Sequence, residues 1–376
     1  MAQPGLNLID MPQMPDRDAI LNALRVVVDP DLRRDIVSLG FVKDVVAADG
    51  AVSLTIELTT PACPVKDQMR DQAVAAVQAL PGVAKVTVQM TAKVRSAAAP
   101  GTGKTPVPGV KNVIAVGAGK GGVGKTTVAV NLAVALAKCG SRVGILDGDI
   151  YGPNVPIMMG IKTQLTTNGK QIVPAEKYGI QVVSVGFMTD DDSPVIWRGP
   201  MLHGAIGQFF KEVAWNDLDY LIVDMPPGTG DVALSLSQTV PVVGSIVVTT
   251  PQQVSLSDSR RAIRMYQKLM IPTIGIVENL SYYACSNCHH EADIFGHGGG
   301  EALARDMNVP FLGRLPIYQP IREGSDRGVP LVESEPASPA ARAFLTVAER
   351  TAAQVSISAH QAAEANRGKI PLIPVR

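Results

Sequence analysis

Hydrophobic positions follow two different regimes along this chain, and the change falls near residue 112. Before it, "FVKDVVAADGAVSLTIEL" alternates apolar and polar residues on either side of Asp49-Gly50, which predicts two strands joined by a tight turn. A helix is expected over 17–28, after "MPDRD". A second is expected in "TTPACPVKDQMRDQAVAAVQALPG", with Pro64 in its first turn and Pro81-Gly82 ending it. Residues 84–90 supply a third strand. From residue 112 the runs "NVIAVG", "RVGILD", "IQVVSV", "DYLIVD", "SIVVTT" and "TIGIVEN" are short and continuously apolar, and they alternate with longer helical stretches. Runs of that kind fit strands buried on both faces, hence an α/β fold with a mostly parallel, doubly wound sheet.

Between the regimes, residues 96–111 ("SAAAPGTGKTPVPGVK") are small, Pro/Gly-rich and aperiodic, which predicts a flexible linker. The expected organisation is a small α/β domain over 10–95, the linker, a larger α/β domain over 112–355, and a poorly ordered tail over 356–376 with no clear amphipathic period. No internal repeat is visible. Composition adds that 46% of residues are hydrophobic, so a sizeable core can form. Lys plus Arg equal Asp plus Glu at 34 each, leaving no charge bias toward nucleic acid or an anionic membrane. Neither a leader-like N-terminus nor a membrane-length apolar stretch is present, so a cytoplasmic location is expected. Four cysteines, only two of them close together, do not make a disulfide framework for 376 residues.

The strongest chemical signal is "VIAVGAGKGGVGKTTVAVNLAVALAKCG", strand, loop and helix in order. Gly119 to Thr126 reads G-x-x-x-x-G-K-T, the phosphate loop of nucleoside triphosphatases, in the context that makes it credible. Gly119, Gly121, Gly122 and Gly124 let the backbone N–H groups of the loop, Val123 included, converge on a phosphate. The following helix, from Thr126 and Thr127 onward, turns its positive end to the same anion. Lys125 is placed to reach the terminal phosphates and Thr126 to ligate Mg²⁺. A partial match, "GTGKT" at 101–105, fails because Ala98 stands where the first glycine belongs and no strand precedes it. Carboxylates close other strands: Asp147 and Asp149 in "VGILDGDIYGPN", and Asp224 in "DYLIVDMPPGTGD", where ligands collect in open α/β sheets. Each alone is as readily a helix cap.

Lys120 follows the first glycine of the loop, and "GKGGVGKTT" resembles the deviant phosphate loop of the MinD, ParA and nitrogenase-iron-protein group of ATPases. The resemblance implies that Lys120 crosses to the nucleotide of a partner subunit in a face-to-face homodimer. It also implies that Asp149 orients or activates the attacking water. Asp224 would hold the Mg²⁺ hydration shell ahead of a second switch with Gly228, Gly230 and Asp231. Asn279 would read adenine, favouring ATP. A solvated loop lysine is the plainer reading of Lys120.

Cys285 and Cys288, in "YYACSNCHH", lie six and nine residues beyond Asn279. C-x-x-C spacing lets two thiolates face one metal centre, and thiolates select Zn, Cu(I) or iron–sulfur clusters. Two chains related by a twofold axis would supply four thiolates. Together with "DIYGPNVP", "WRGPM", "DMPPGTGD", "TTPQQVSLSD" and "ENLSYYACSNC", the order of features over about 113–320 resembles the Mrp/ApbC family of iron–sulfur cluster carrier ATPases. That resemblance implies ATP, Mg²⁺ and a [4Fe–4S] cluster shared by a homodimer, slow ATP hydrolysis, and transfer to apo iron–sulfur proteins. "DPDLRRDIVSLGFV" and "LTTPACPVKDQM" resemble the SufT-like domain of iron–sulfur assembly proteins, covering about 17–92 and implying that Cys63 helps pass iron–sulfur material.

Plainer readings stand beside these. Cys285 and Cys288 could close a zinc site with His289 or His290 and His297, or form a dithiol redox pair. Cys63 could be a buried structural cysteine. Cys139 fits packing, and His203 a packed or capping role. A partitioning or positioning ATPase of the MinD/ParA type, without a cluster, is the main rival. Those proteins often append a basic amphipathic helix or a basic DNA patch, and this tail offers neither.

Overall fold

The computed structural model describes residues 14–97, 104–149, 152–187, 207–228, 231–285, 287–288 and 290–366. The whole of "WRGPM", Ile150 and Tyr151 of "DIYGPNVP", His203, Gly230 and His289 lie outside them, as does the side chain of Asp231. Two compact units divide the chain, at residues 1–94 and 95–376.

In the first unit, α1 (Arg17–Leu24) precedes an antiparallel hairpin of β1 (Val42–Ala48) and β2 (Ala51–Leu58), then α2 (Lys66–Gln78) and β3 (Lys85–Ala92), parallel to β2. Asp49 and Gly50 both have positive φ, 49° and 77°, as the expected tight turn requires. Alternate residues of β2, Val52, Leu54, Ile56 and Leu58, bury against Ile20, Leu24, Met69, Ala73 and Val77 of the helices. The first helix stops at Leu24 rather than at 28, because a Val26-Val27-Val28 run and Pro30 both favour extended backbone. Pro64 lies just before α2, whose N-cap is Val65, and not inside its first turn.

The second unit holds an eight-stranded sheet. Its strands are β4 (Val110–Ala118), β5 (Val143–Asp147), β6 (Ala175–Lys177), β7 (Ile180–Ser184), β8 (Leu218–Asp224), β9 (Val242–Thr249), β10 (Thr273–Glu278) and β11 (Phe311–Arg314). Their order is β6-β7-β5-β8-β4-β9-β10-β11, with only β6 antiparallel to its neighbour. All six apolar runs became strands of this sheet. Alternation decides which helical layer each side chain meets. Val113, Ala115, Leu146, Leu221, Val247 and Ile276 pack with Leu236 of α5 (Asp231–Thr239), Ile263 of α6 (Gln253–Lys268) and Leu303 of α7 (Gly299–Met307). The intervening residues of these strands are equally buried, and α3 (Lys125–Lys138) packs with α10 (Pro339–Asn366). Short helices α4 (Val155–Met159), α8 (Gln319–Arg327) and α9 (Leu331–Ser334) also belong to the unit.

Two expectations change. The 96–111 segment is tied down where it is described: Ala97 N–H donates to the Asn112 side chain at 2.9 Å, and Val107 is buried in the core. The tail from 356 is helical to Asn366. Phe344, Val347, Ala348, Thr351, Ala352, Val355 and Ala359 form one buried stripe along α10. Alanine, a strong helix former that adds little to an amphipathic signal, hid this continuation. Among the described residues no helix is long and apolar enough to cross a membrane.

Candidate nucleotide site and cysteine hairpin

The phosphate loop links the C-terminal end of β4 to the N-terminus of α3, so its backbone N–H groups and the helix dipole converge at the end of the sheet. Gly124 is the N-cap with φ 80°, and a Cβ there would overlap the side-chain amide of Asn279. Only glycine satisfies both constraints. Asn279 in turn donates from Nδ2 to the Val123 carbonyl at 2.8 Å, across 156 residues of sequence. An adenine-reading role would use its remaining N–H and its carbonyl.

Lys125, 7% exposed, reaches Asp224 Oδ1 at 2.6 Å and Asp149 Oδ2 at 3.7 Å. The Thr126 hydroxyl donates to Asp224 Oδ2 at 2.7 Å. β8 and β5 are parallel neighbours with Asp224 opposite Asp147, so two carboxylates end adjacent strands in register. Burial raises Asp224 above the ordinary carboxylate range, against the pull of Lys125 and its hydrogen bonds. Burial, and then the Asp224 charge, push Asp147 up to about 8. Asp147 is engaged within the protein. Its oxygens accept the Asp149 N–H at 3.1 Å, the Val155 N–H at 3.2 Å and the Ser184 hydroxyl at 3.0 Å, which shapes the turn that presents Asp149. The hydroxyl of Thr126, the carboxylate of Asp224 and the ammonium of Lys125 thus meet at a helix N-terminus, a donor set suited to phosphate with a hard divalent cation. Lys120 is half-buried and pairs with none of the described acidic side chains.

Cys285 and Cys288 sit at the tip of a small hairpin, Tyr283–Ala284 paired with Glu291–Ala292. The hairpin is tied to the segment that follows β11: Ile317 N–H donates to the Tyr282 carbonyl at 2.6 Å, and Ala284 N–H to the Ile317 carbonyl at 3.0 Å. Cys285 is half-buried and Cys288 exposed, both as free thiols. Backbone N–H groups of Cys288 and Asn287, then the Cys288 thiol, point at the Cys285 sulfur and lower its pKa below the ordinary thiol value. Among the described residues, no three His, Cys, Asp or Glu side chains gather as a metal site. His297 is engaged by Asp293 at 2.7 Å.

Cys63 is 7% exposed within the core of the first unit, three residues before α2 begins. Cys139 caps α3. Two features went unread in the sequence. Asp258 and Ser259 of α6 press their backbone against Gly119. Glu278, buried at the end of β10, accepts hydrogen bonds from Ser281, Gly298 and Gly300. The triple glycine at 298–300 was the available signal.

Residues 109–352 match the family of NUBPL iron-transfer P-loop NTPases. The chain belongs to that family. Residues 17–89 match a second family, described as iron–sulfur cluster assembly protein. An iron–sulfur cluster carrier protein of Synechocystis sp. is 49% identical over 349 residues, covering 91% of this chain and 98% of the relative. The protein of that name from Deinococcus radiodurans is 46% identical over 342 residues, covering 90% and 96%. Among solved structures, a nucleotide-binding protein of Archaeoglobus fulgidus in complex with ADP aligns with a TM-score of 0.55 at 36% identity, over 64% of this chain and 93% of its own. The P-loop fold and the carrier-family resemblance read from the motifs are both borne out.

Proposed function

We propose that this chain is an ATP-dependent iron–sulfur cluster carrier acting as a homodimer, in which Cys285 and Cys288 of two copies hold one labile [4Fe–4S] cluster as cargo for apo-proteins. The observation that carries the reading is the hairpin tip. It offers two adjacent thiols, one of them with a lowered pKa, which is half of the four thiolates such a cluster usually takes, and a twofold-related copy would bring the other half. The exposed Ile294 and Phe295 just beyond the hairpin give such a copy or a recipient apolar surface to meet.

In the nucleotide site, Lys125 leaves Asp224 for the terminal phosphates, and Asp149, released from Lys125, orients the attacking water. Thr126, with Asp224 through water, would hold Mg²⁺, which neutralises charge on the phosphate oxygens. Lys120 supplies a second cation, to the partner's nucleotide. Hydrolysis is slow until a partner engages. Transfer is ligand exchange: each recipient thiolate that binds an iron displaces one carrier thiolate. The buried position of Cys63 favours packing over delivery in the small unit.

The test is anaerobic reconstitution with iron and sulfide, then native mass spectrometry of the full chain and of Cys288→Ala. Two chains plus one four-iron cluster, absent in the variant, supports the carrier. One zinc per chain, or no metal at all, points instead to a switch ATPase of the MinD/ParA type.

A further inference from the structure

Glu278 and Asn279 are consecutive residues with bonds in opposite directions. Toward the nucleotide, Asn279 holds the Val123 carbonyl of the phosphate loop, and its own N–H donates to the Thr249 carbonyl at 2.8 Å. Toward the cysteines, Glu278 Oε1 accepts the Ser281 hydroxyl at 2.5 Å and the Gly298 N–H at 3.1 Å, while Oε2 accepts the Gly300 N–H. Ser281 opens the segment that carries Cys285 and Cys288, and Gly298 and Gly300 close it. One fully buried carboxylate therefore draws together both ends of that segment.

The sequence is built around this contact. A Cβ on Gly300 would stand 2.9 Å from the Glu278 Cβ, so the start of α7 approaches β10 this closely only as glycine, and a Cβ on Gly299 would crowd Leu256 of α6 at 2.7 Å. The charge of Glu278 is met by three donors, two of them at the positive end of α7. Losing the Ser281 or the Gly300 bond would leave a buried polar group unmatched, which favours keeping the set together with the β10 end.

We infer that Glu278 is a positioning residue that couples the phosphate loop to the cysteine pair, so that nucleotide binding, sensed through Asn279, changes the exposure of Cys285 and Cys288. The inference rests on the proposed role of those cysteines as cargo ligands. A carboxylate that merely holds the loop would set thiol reactivity equally with and without nucleotide. A coupling residue sets the ratio between the two.

The test is site-resolved alkylation of the reduced, metal-free full chain by iodoacetamide, with and without magnesium and a slowly hydrolysed ATP analogue. In the wild type, nucleotide is expected to change the rates at Cys285 and Cys288 by about fivefold or more, with Cys63 and Cys139 unaffected. In Glu278→Gln, whose amide turns an N–H toward one of the bound donors, the ratio should collapse toward one while nucleotide affinity stays within a small factor. Ser281→Ala, which loses one bond and keeps the clasp on α7, should reduce the ratio partway and serves if E278Q does not fold. A wild-type ratio of one overturns the inference, as does an undiminished ratio in the variants. Neither result touches the carrier reading, which falls only if the reconstituted wild type binds no cluster.

Discussion

Replacing Lys125 by alanine should destabilise the second unit in a pH-dependent way, quite apart from its effect on ATP. The substitution leaves Asp224 wholly buried, with Asp147 opposite it on the neighbouring strand and no other ion-pair partner among the described residues. Removing one partner of a buried pair costs about 3–5 kcal/mol. The carboxyl can always escape by taking a proton. From an ordinary pKa near 3.9 that route costs about 1.36 kcal/mol per pH unit, which caps the loss near 4 kcal/mol at pH 7 and about 1.5 kcal/mol at pH 5. Burial already raises Asp224 in the wild type, so part of this cost is present before the substitution. The expected loss is therefore about 2–4 kcal/mol at pH 7 and about 1 kcal/mol at pH 5. The sign follows from linkage: the variant's folded Asp224 lies further above its unfolded value, so stability is kept at low pH and lost as pH rises. Urea unfolding read by tryptophan fluorescence, with Trp215 in the core of this unit, measures the difference at both pH values. The double variant Lys125→Ala/Asp224→Asn should remove most of the added pH slope. An unchanged midpoint at pH 7, or a deficit of equal size at pH 5, would refute the argument.

Gly124→Ala forces a Cβ into the Asn279 amide at a positive φ, and should weaken ATP binding at least tenfold in a calorimetric titration while α3 persists by circular dichroism. Asn279→Ala removes the bond to Val123, and about 1.4 kcal/mol or tenfold in ATP affinity should go with it; the preference for ATP over GTP should shrink alongside. Because N–H groups hold the Cys285 thiolate, its alkylation should persist below the pH at which a free cysteine slows. Cys288→Ala should leave most of that effect, since the backbone N–H groups remain. A Cys285 profile identical to that of a free thiol speaks against the hairpin geometry.

The phosphate loop was legible because its chemistry is contiguous: glycines, Lys125 and Thr126 act through the backbone that joins them. The six apolar runs declared their strands because a parallel strand covered on both faces has no polar side to hide. The C-x-x-C pair was legible for the same local reason. Carboxylates at strand ends were visible as candidates, but their division of labour was not. Asp147 and Asp224 are 77 residues apart in the chain and opposite each other in the sheet, and only that register turns one into a loop organiser and leaves the other facing Lys125. The α10 continuation to Asn366 stayed hidden because its alanines give little periodic signal of their own. The grip of Glu278 on both ends of the cysteine segment, and of Asn279 on the phosphate loop, joins residues from 3 to 156 positions apart. Sequence decided which groups exist and which local shapes they favour. Tertiary structure decided which of them share a buried space, and so which charges and hydrogen bonds must answer one another.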